Sequence, residues 1–335
     1  MNIYYFKEDM RNVTEYYYKI ILSALAENNY KVVQLESTST QNIKQITSGD
    51  YVLVTTLQTF RKLFYKGIRN FIYWFQGISP EEYRMMRPGI KGLVGYYHLS
   101  FLEKKAIKTV KYKIGVSKYL FEHYEKKYGV SVPIESVFIM PCFNSDFSTD
   151  SFKTPDKYTN NVFTYAGGLQ AWQGFEDILK IYKCIEEKYK NVSLRIYCKE
   201  KELAKTIIDS YDIHHYTLDC VPQSEMENVL RQCKFGFIIR EDNVINNVAT
   251  PTKLATYIGN GVIPIFTPTI WAYKDLAKRY KYLICDTPDN IVDNLSDFME
   301  NIDIDALLRE YKRIFEEYYN REDYVLKLSS FLRFE

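Results

Sequence analysis

The sequence predicts an α/β protein of two domains, each built on a doubly wound parallel sheet. Three observations predict it. Short apolar runs of strand length alternate with helical stretches along nearly the whole chain. That alternation breaks once, at the polar, aperiodic stretch 144–161 (NSDFSTDSFKTPDKYTNN), which reads as an interdomain linker. A length of 335 residues also suits about two domains.

The first series places strands at 3–6, 31–35, 51–55, 71–75, 93–97, 112–116 and 137–141, with a Tyr-rich helix at 13–27. It predicts an N-terminal domain over 1–150. The second series places strands at 162–165, 194–198, 217–221, 235–239, 262–266 and 282–285, with helices at 175–188, 225–232 and 253–258 between them. It predicts a C-terminal domain over 151–303, with strand ends of the two domains facing a cleft. From 304 to 335 the apolar residues Leu307, Leu308, Tyr311, Ile314, Phe315 and Tyr318 recur near 3.6 spacing, so this segment reads as helix packing back on the N-terminal domain.

Composition narrows the function classes. A hydrophobic fraction of 46% supports packed cores, and the aromatic fraction of 16% comes mostly from 31 tyrosines and 20 phenylalanines. The 44 basic and 42 acidic residues leave a net charge of +2, which gives no electrostatic case for nucleic acid. Six scattered cysteines without a CxxC pair read as reduced thiols. With no apolar run of membrane-spanning length and no signal-peptide pattern at the start, the expectation is a soluble cytoplasmic protein.

The stretch 235–266 (FGFIIREDNVINNVATPTKLATYIGNGVIPIF) concentrates the chemistry. It reads as strand, polar loop, helix and strand, a βαβ unit whose ligand side lies at the carboxyl end of the first strand. Thr250, Pro251 and Thr252 stand where an N-cap and first-turn proline belong, and the free N–H groups of a helix start suit a phosphate. Lys253 adds a full positive charge where the helix dipole alone prefers an anion, so a docked anion accounts for it. Arg240, at the strand end, can bracket a diphosphate together with Lys253; pairing with Glu241 or Asp242 is its structural alternative. Asn246 and Asn247 carry amides suited to sugar hydroxyls. Gly167 and Gly168, directly after the first strand of the domain, let backbone approach a ligand without Cβ interference. Val221, after the third strand, offers backbone to a base edge, while Ser224 reads as the cap of the next helix.

In the first domain, Gln76 ends a strand ahead of Ser79-Pro80-Glu81-Glu82, which read as a helix start. Gln76 thereby faces the ligand side and can contact an acceptor or donor hydroxyl. His98 follows the strand expected at 93–97. The four histidines show no metal spacing, and neither a Walker loop nor a GxGxxG after the first strand is present.

These residues resemble the GT-B glycosyltransferases, in particular the retaining, nucleotide-sugar-dependent family 4 enzymes of bacterial surface-polysaccharide synthesis. The resemblance rests on Tyr165-Ala-Gly-Gly168, on Val116-Ser-Lys118 with the helix after it, on Met140-Pro-Cys-Phe-Asn144, and on 240–261, where Pro251-Thr252-Lys253 precedes a helix turn and a strand as in that family. It implies that the second domain holds a nucleotide diphosphate and the first the acceptor. Arg240 and Lys253 would then bind the diphosphate, with Gly167 and Thr252 assisting and no metal required. It also implies a UDP- or GDP-linked sugar as donor, with no separate cofactor, and a saccharide or lipid-linked saccharide as acceptor. Two positions depart from the family. Gln173 stands where a lysine is frequent, and Thr256 stands where the second glutamate of the Glu-x7-Glu signature belongs, while Glu241 matches the first in type but not in spacing.

The readings that follow are a cytoplasmic glycosyltransferase, a degenerate GT-B module that scaffolds or activates a partner, and a two-domain sugar-phosphate epimerase. The basic run 99–113 (LSFLEKKAIKTVKYK), with Lys104, Lys105, Lys108, Lys111 and Lys113, reads first as a solvated helix face, with peripheral contact with the inner face of an anionic membrane as the alternative.

Overall fold

The computed structural model describes residues 1–10 and 15–334. The chain divides into two compact units. Unit 1 comprises Met1–Cys142, Val248–Thr250 and the C-terminal residues from Asn320; unit 2 comprises Phe143–Asn247 and Pro251–Tyr319.

Unit 1 carries six strands: β1 (Asn2–Phe6), β2 (Lys31–Leu35), β3 (Tyr51–Val54), β4 (Phe71–Phe75), β5 (Tyr112–Gly115) and β6 (Val137–Ile139). They pair in parallel in the order β2-β1-β3-β4-β5-β6. The central runs YVLV and FIYWF are buried at every position, as strands covered on both faces must be. The order turns between β1 and β3, so the loops leaving those strands diverge and open a crevice at the carboxyl edge.

Unit 2 repeats the plan with β7 (Asn161–Ala166), β8 (Val192–Tyr197), β9 (Tyr216–Asp219), β10 (Phe235–Ile238), β11 (Ile263–Phe266) and β12 (Ile284–Cys285). The order is β12-β11-β10-β7-β8-β9, again parallel throughout, with its turning point between β7 and β10. Phe163 on β7 stacks on Phe235 of β10 at 4.7 Å, which seals the sheet beneath that turning point.

Three expectations need correction. The segment 93–97 is not a strand but part of the first half of a 20-residue helix, Ile90–Thr109. Its five residues read as an apolar strand only in a short window; Leu102, Ala106 and Ile107 extend the buried side with helical spacing. Gly92 and Gly95 argue against a helix interior on propensity alone. Packing reverses that preference, because a methyl at Gly95 would lie 2.1 Å from the Tyr83 ring of the preceding helix, Ser79–Met86. His98 therefore lies on a helix, 3.4 Å from an Arg61 guanidinium nitrogen, rather than after a strand. The basic run also stops being helical at Thr109, and Lys113 sits in β5, where its ammonium donates to the Val110 carbonyl at 2.6 Å and burial lowers its pKa to about 8.

The segment 144–161 is likewise no free linker. Ser151, Phe152, Lys157 and Tyr158 are buried in unit 2, and the Lys157 ammonium donates to the carbonyls of Asn260 and Ser151 while Tyr158 donates to that of Gly261. The units meet in sequence at 142/143 rather than at 150. The C-terminal segment is split between them. Helix Ile304–Tyr318 buries Leu307, Tyr311 and Ile314 in unit 2, whereas helix Arg321–Phe331 packs in unit 1 against helix Glu15–Glu27. The expected start of that first helix at Val13 lies outside the described residues.

Candidate functional site

In unit 2, Arg240 stands two residues past β10 and Lys253 opens the helix Lys253–Gly259. Arg240 is 6% exposed. Its backbone is pinned at both ends by Thr267, whose hydroxyl accepts from the Arg240 N–H at 2.9 Å and donates to its carbonyl at 2.8 Å. One guanidinium nitrogen donates to the Trp172 carbonyl at 2.6 Å, while the buried Nε has no partner. The Lys253 ammonium lies 4.3 Å above the Tyr165 ring and donates to the Gln173 amide oxygen at 2.7 Å. Trp172 and Gln173 both belong to the loop after β7, so one loop orients both cations. Gln173, placed where a further phosphate cation was expected, instead holds Lys253.

Neither cation is in an ion pair among the described residues. Burial, and then the charge of Arg240, hold the Lys253 ammonium well below its ordinary value of 10.5. Burial lowers Arg240 to about 10. Two confined positive charges without a counter-charge are costly alone and favourable around an anion. The preference for an anion comes from these side chains and not from the helix end: the helix is seven residues long, and Thr252 makes no side-chain cap bond.

Gly167 completes the arrangement. A methyl there would sit 2.4 Å from the Lys253 ammonium, so only glycine lets the lysine lie across the loop. Gly168 accepts at its carbonyl from the Tyr165 hydroxyl, fixing the ring beneath the ammonium. We expect Gly167→Ala to leave the urea midpoint nearly unchanged, because a flexible side-chain end can move. The same displacement should weaken anion binding about tenfold in calorimetric titration, the loss of one charge-assisted bond.

The remaining residues expected at this site divide. Asn246 and Asn247 are buried, and their amide N–H groups are used within unit 2: Asn246 donates to the Glu241 carbonyl at 3.0 Å, and Asn247 to the Asp242 carboxylate at 2.8 Å and the Thr269 carbonyl at 3.0 Å. The Glu241 side chain is exposed. Thr256 lies within 3.2 Å of the side chains of both Asn144 and Ser145, bracing the start of unit 2. Val221 follows β9 at the far edge of the sheet, with β7 and β8 between that strand and β10. Ser224 does not cap a helix; it lies inside a short 3-10 turn, Gln223–Glu225.

Unit 1 has its own cavity, of about 370 Å³, at the carboxyl edge of β1, β3 and β4. Gln76 lines it, with Thr55, Thr56, Ser79, Tyr73 and Tyr124. Three carboxyl groups also line it: Glu82, read from the sequence only as a helix-start acid, and Asp9 and Glu103, which sequence reasoning missed. Asp9 accepts at Oδ1 from Thr59 at 2.6 Å and Thr56 at 3.3 Å, while its buried Oδ2 is unpartnered. Glu103 accepts from the Tyr128 hydroxyl at 2.6 Å and from Lys127 at 3.3 Å, yet burial still pushes its pKa up to about 7. Burial raises Asp9 and Glu82 as well. No Lys, Arg or His lines the cavity among the described residues. An acid just past β1, at the turning point of the strand order, was the available signal for Asp9.

No family model and no curated protein matches the chain by sequence. Its fold is shared with solved structures of GT-B proteins. OtsA in its apo form matches over 100% of both chains with a TM-score of 0.67 and 8% identity. WaaB, a lipopolysaccharide outer core galactosyltransferase, matches over 98% of this chain and 99% of its own, with a TM-score of 0.64 and 12% identity. A point mutant of TarM from S. aureus, in complex with fondaparinux, alpha-GlcNAc-glycerol and UDP, matches over 85% of this chain with a TM-score of 0.62 and 12% identity. The present chain spans 57% of that TarM chain. At these identities the likeness establishes the GT-B fold.

Proposed function

We propose that the protein is a glycosyltransferase that moves a sugar from a nucleoside-diphosphate donor, UDP-linked by preference, to a saccharide or lipid-linked saccharide of a bacterial surface polysaccharide. The observation that carries this reading is the pair of cations without a counter-charge: Arg240, buried, and Lys253, half-buried with its ammonium lying across Gly167. Solved structures of the same fold bind UDP or a UDP-2-fluoro glucose, which supports the choice of nucleotide.

In this reading Arg240 and Lys253 hold the diphosphate and take up the negative charge that develops on it as the glycosidic bond to the donor sugar breaks. Preorganised charge of this kind acts on the departing group directly and supplies what a metal ion would otherwise supply. A retaining course is what the resemblance to the family 4 enzymes implies. Gln76, in the unit 1 cavity, hydrogen-bonds a hydroxyl of the acceptor. The carboxyl-lined cavity suits an uncharged sugar, since hydroxyls donate to Asp9 and Glu82.

Calorimetric titration with UDP, GDP, ADP, CMP and dTDP tests the reading. UDP should bind, and Lys253→Ala should weaken it by about 2 kcal/mol through loss of a charge-assisted contact to phosphate. Binding of none of the five would remove the transferase reading and leave a non-catalytic module of the same fold.

A further inference from the structure

The helix Ile90–Thr109 presents an apolar stripe that nothing in unit 1 covers among the described residues. Ile90 is 82% exposed, Val94 64%, Tyr97 64% and Phe101 58%, and they recur every third or fourth residue, so they share one face. Met86, at the end of the preceding helix, is 59% exposed beside the start of this one. A contiguous patch of large apolar side chains in water marks an interaction surface.

The charge around the stripe indicates what covers it. Lys104 and Lys108 continue the same face along the last turns of the helix, while the Lys105 ammonium turns aside over the Phe64 ring at 4.9 Å. Arg84, Arg87 and Lys91 lie at its other end. The only acid between 83 and 113 is Glu103, which is 2% exposed and points inward to Lys127 and Tyr128. Lys91, Lys104 and Lys108 are in no ion pair among the described residues. The exposed surface of this helix is therefore apolar in the middle and cationic at both ends. That pattern suits a folded surface that docks on lipid, with the apolar side chains among the acyl chains and the cations beside them at the headgroups.

We propose that Ile90, Val94, Tyr97 and Phe101, with Met86, form a membrane-docking face that inserts into an anionic bilayer surface, held there by Lys104 and Lys108. A second copy of the chain fits the apolar stripe but would set like-charged rims against each other. No helix among the described residues is long and apolar enough to cross a membrane, so the contact is peripheral. The inference stands on this helix alone and does not depend on the transferase reading.

The test is flotation of the full chain with vesicles of phosphatidylcholine, with and without phosphatidylglycerol, at low and high salt. The protein should float with the anionic vesicles and bind neutral ones about tenfold more weakly, with the difference reduced by salt. The triple variant Ile90→Ser, Val94→Ser, Phe101→Ser should lose binding about tenfold or more, while the pair Lys104→Gln, Lys108→Gln should lose only the preference for anionic lipid. Because all five side chains point to solvent or are half-buried, circular dichroism should report an unchanged fold. Equal flotation of wild type and triple variant overturns the proposal. So does an absence of vesicle binding, and if it comes with a dimer in sedimentation that the triple variant dissolves, the stripe belongs to a second copy.

Discussion

Arg240→Ala is expected to lower the affinity for UDP by about 3 kcal/mol, more than a hundredfold, with little loss of unliganded stability. The asymmetry follows from the surroundings of the side chain. Its guanidinium makes one bond, to the Trp172 carbonyl, and leaves Nε unpartnered inside the protein. It also sits beside a second, half-buried cation, Lys253, whose protonated form it disfavours. In the free protein, removing it abolishes one hydrogen bond but relieves burial and repulsion of charge. In the complex it removes a donor to phosphate with nothing in exchange. Urea unfolding and calorimetric titration of the same variant separate the two effects. A large fall in stability, with UDP affinity retained, would make Arg240 a structural residue of the loop.

The same pair of charges predicts proton uptake on binding. Lys253 is held well below 10.5 in the free protein, by burial first and Arg240 second, and a diphosphate restores its proton. Between the free-protein value and the ordinary one, the complex carries more protons than the free protein, so UDP affinity falls as pH rises through that window. Unliganded stability moves the other way there. The unfolded chain binds the extra proton, so stability rises with pH until Lys253 titrates in the unfolded state too. Titrations in buffers of different ionisation heat, taken from neutral pH upward, read the uptake directly.

Much of the fold was legible because parallel strands covered on both faces are short apolar blocks, and every predicted block but the one at 93–97 overlaps a strand. That segment was misread because a five-residue apolar window does not distinguish strand from helix. Its glycines, which weaken a helix in isolation, are explained only by Tyr83 and Arg87, which pack against them. The stretch 144–161 was misread because polar composition says nothing of long-range partners such as Asn260 and Gly261, to which Lys157 and Tyr158 bond. At the site, Arg240, Lys253 and Gly167 were readable as strand-end cations and a glycine turn. Gln173 was not, since its role depends on where Lys253 points. Nor was Glu103, which lies inside the helix that the strand reading had shortened.

Those carboxyl groups set the second large effect: a phosphorylated sugar should bind the unit 1 cavity about a hundredfold more weakly than its uncharged counterpart. Asp9 and Glu82 line it without a cationic partner, and no basic side chain lines it among the described residues. A phosphate about 6 Å from one carboxylate meets about 3 kcal/mol of repulsion at an effective dielectric constant of about 20. The hydroxyls of an uncharged sugar meet acceptors instead, among them the unpartnered Oδ2 of Asp9. Saturation-transfer measurements with methyl glucoside and glucose 6-phosphate, each competed against the other, read the preference. Asp9→Asn removes one charge at constant shape and should shrink it at least tenfold. Lower pH should shrink it as well: burial holds Glu103 up near 7, so above neutrality the cavity carries this charge and below it the group is protonated and repels less. Equal binding of the two sugars, unchanged by Asp9→Asn, would mean that these carboxyl groups are neutral across the whole range and serve only to order the loop after β1.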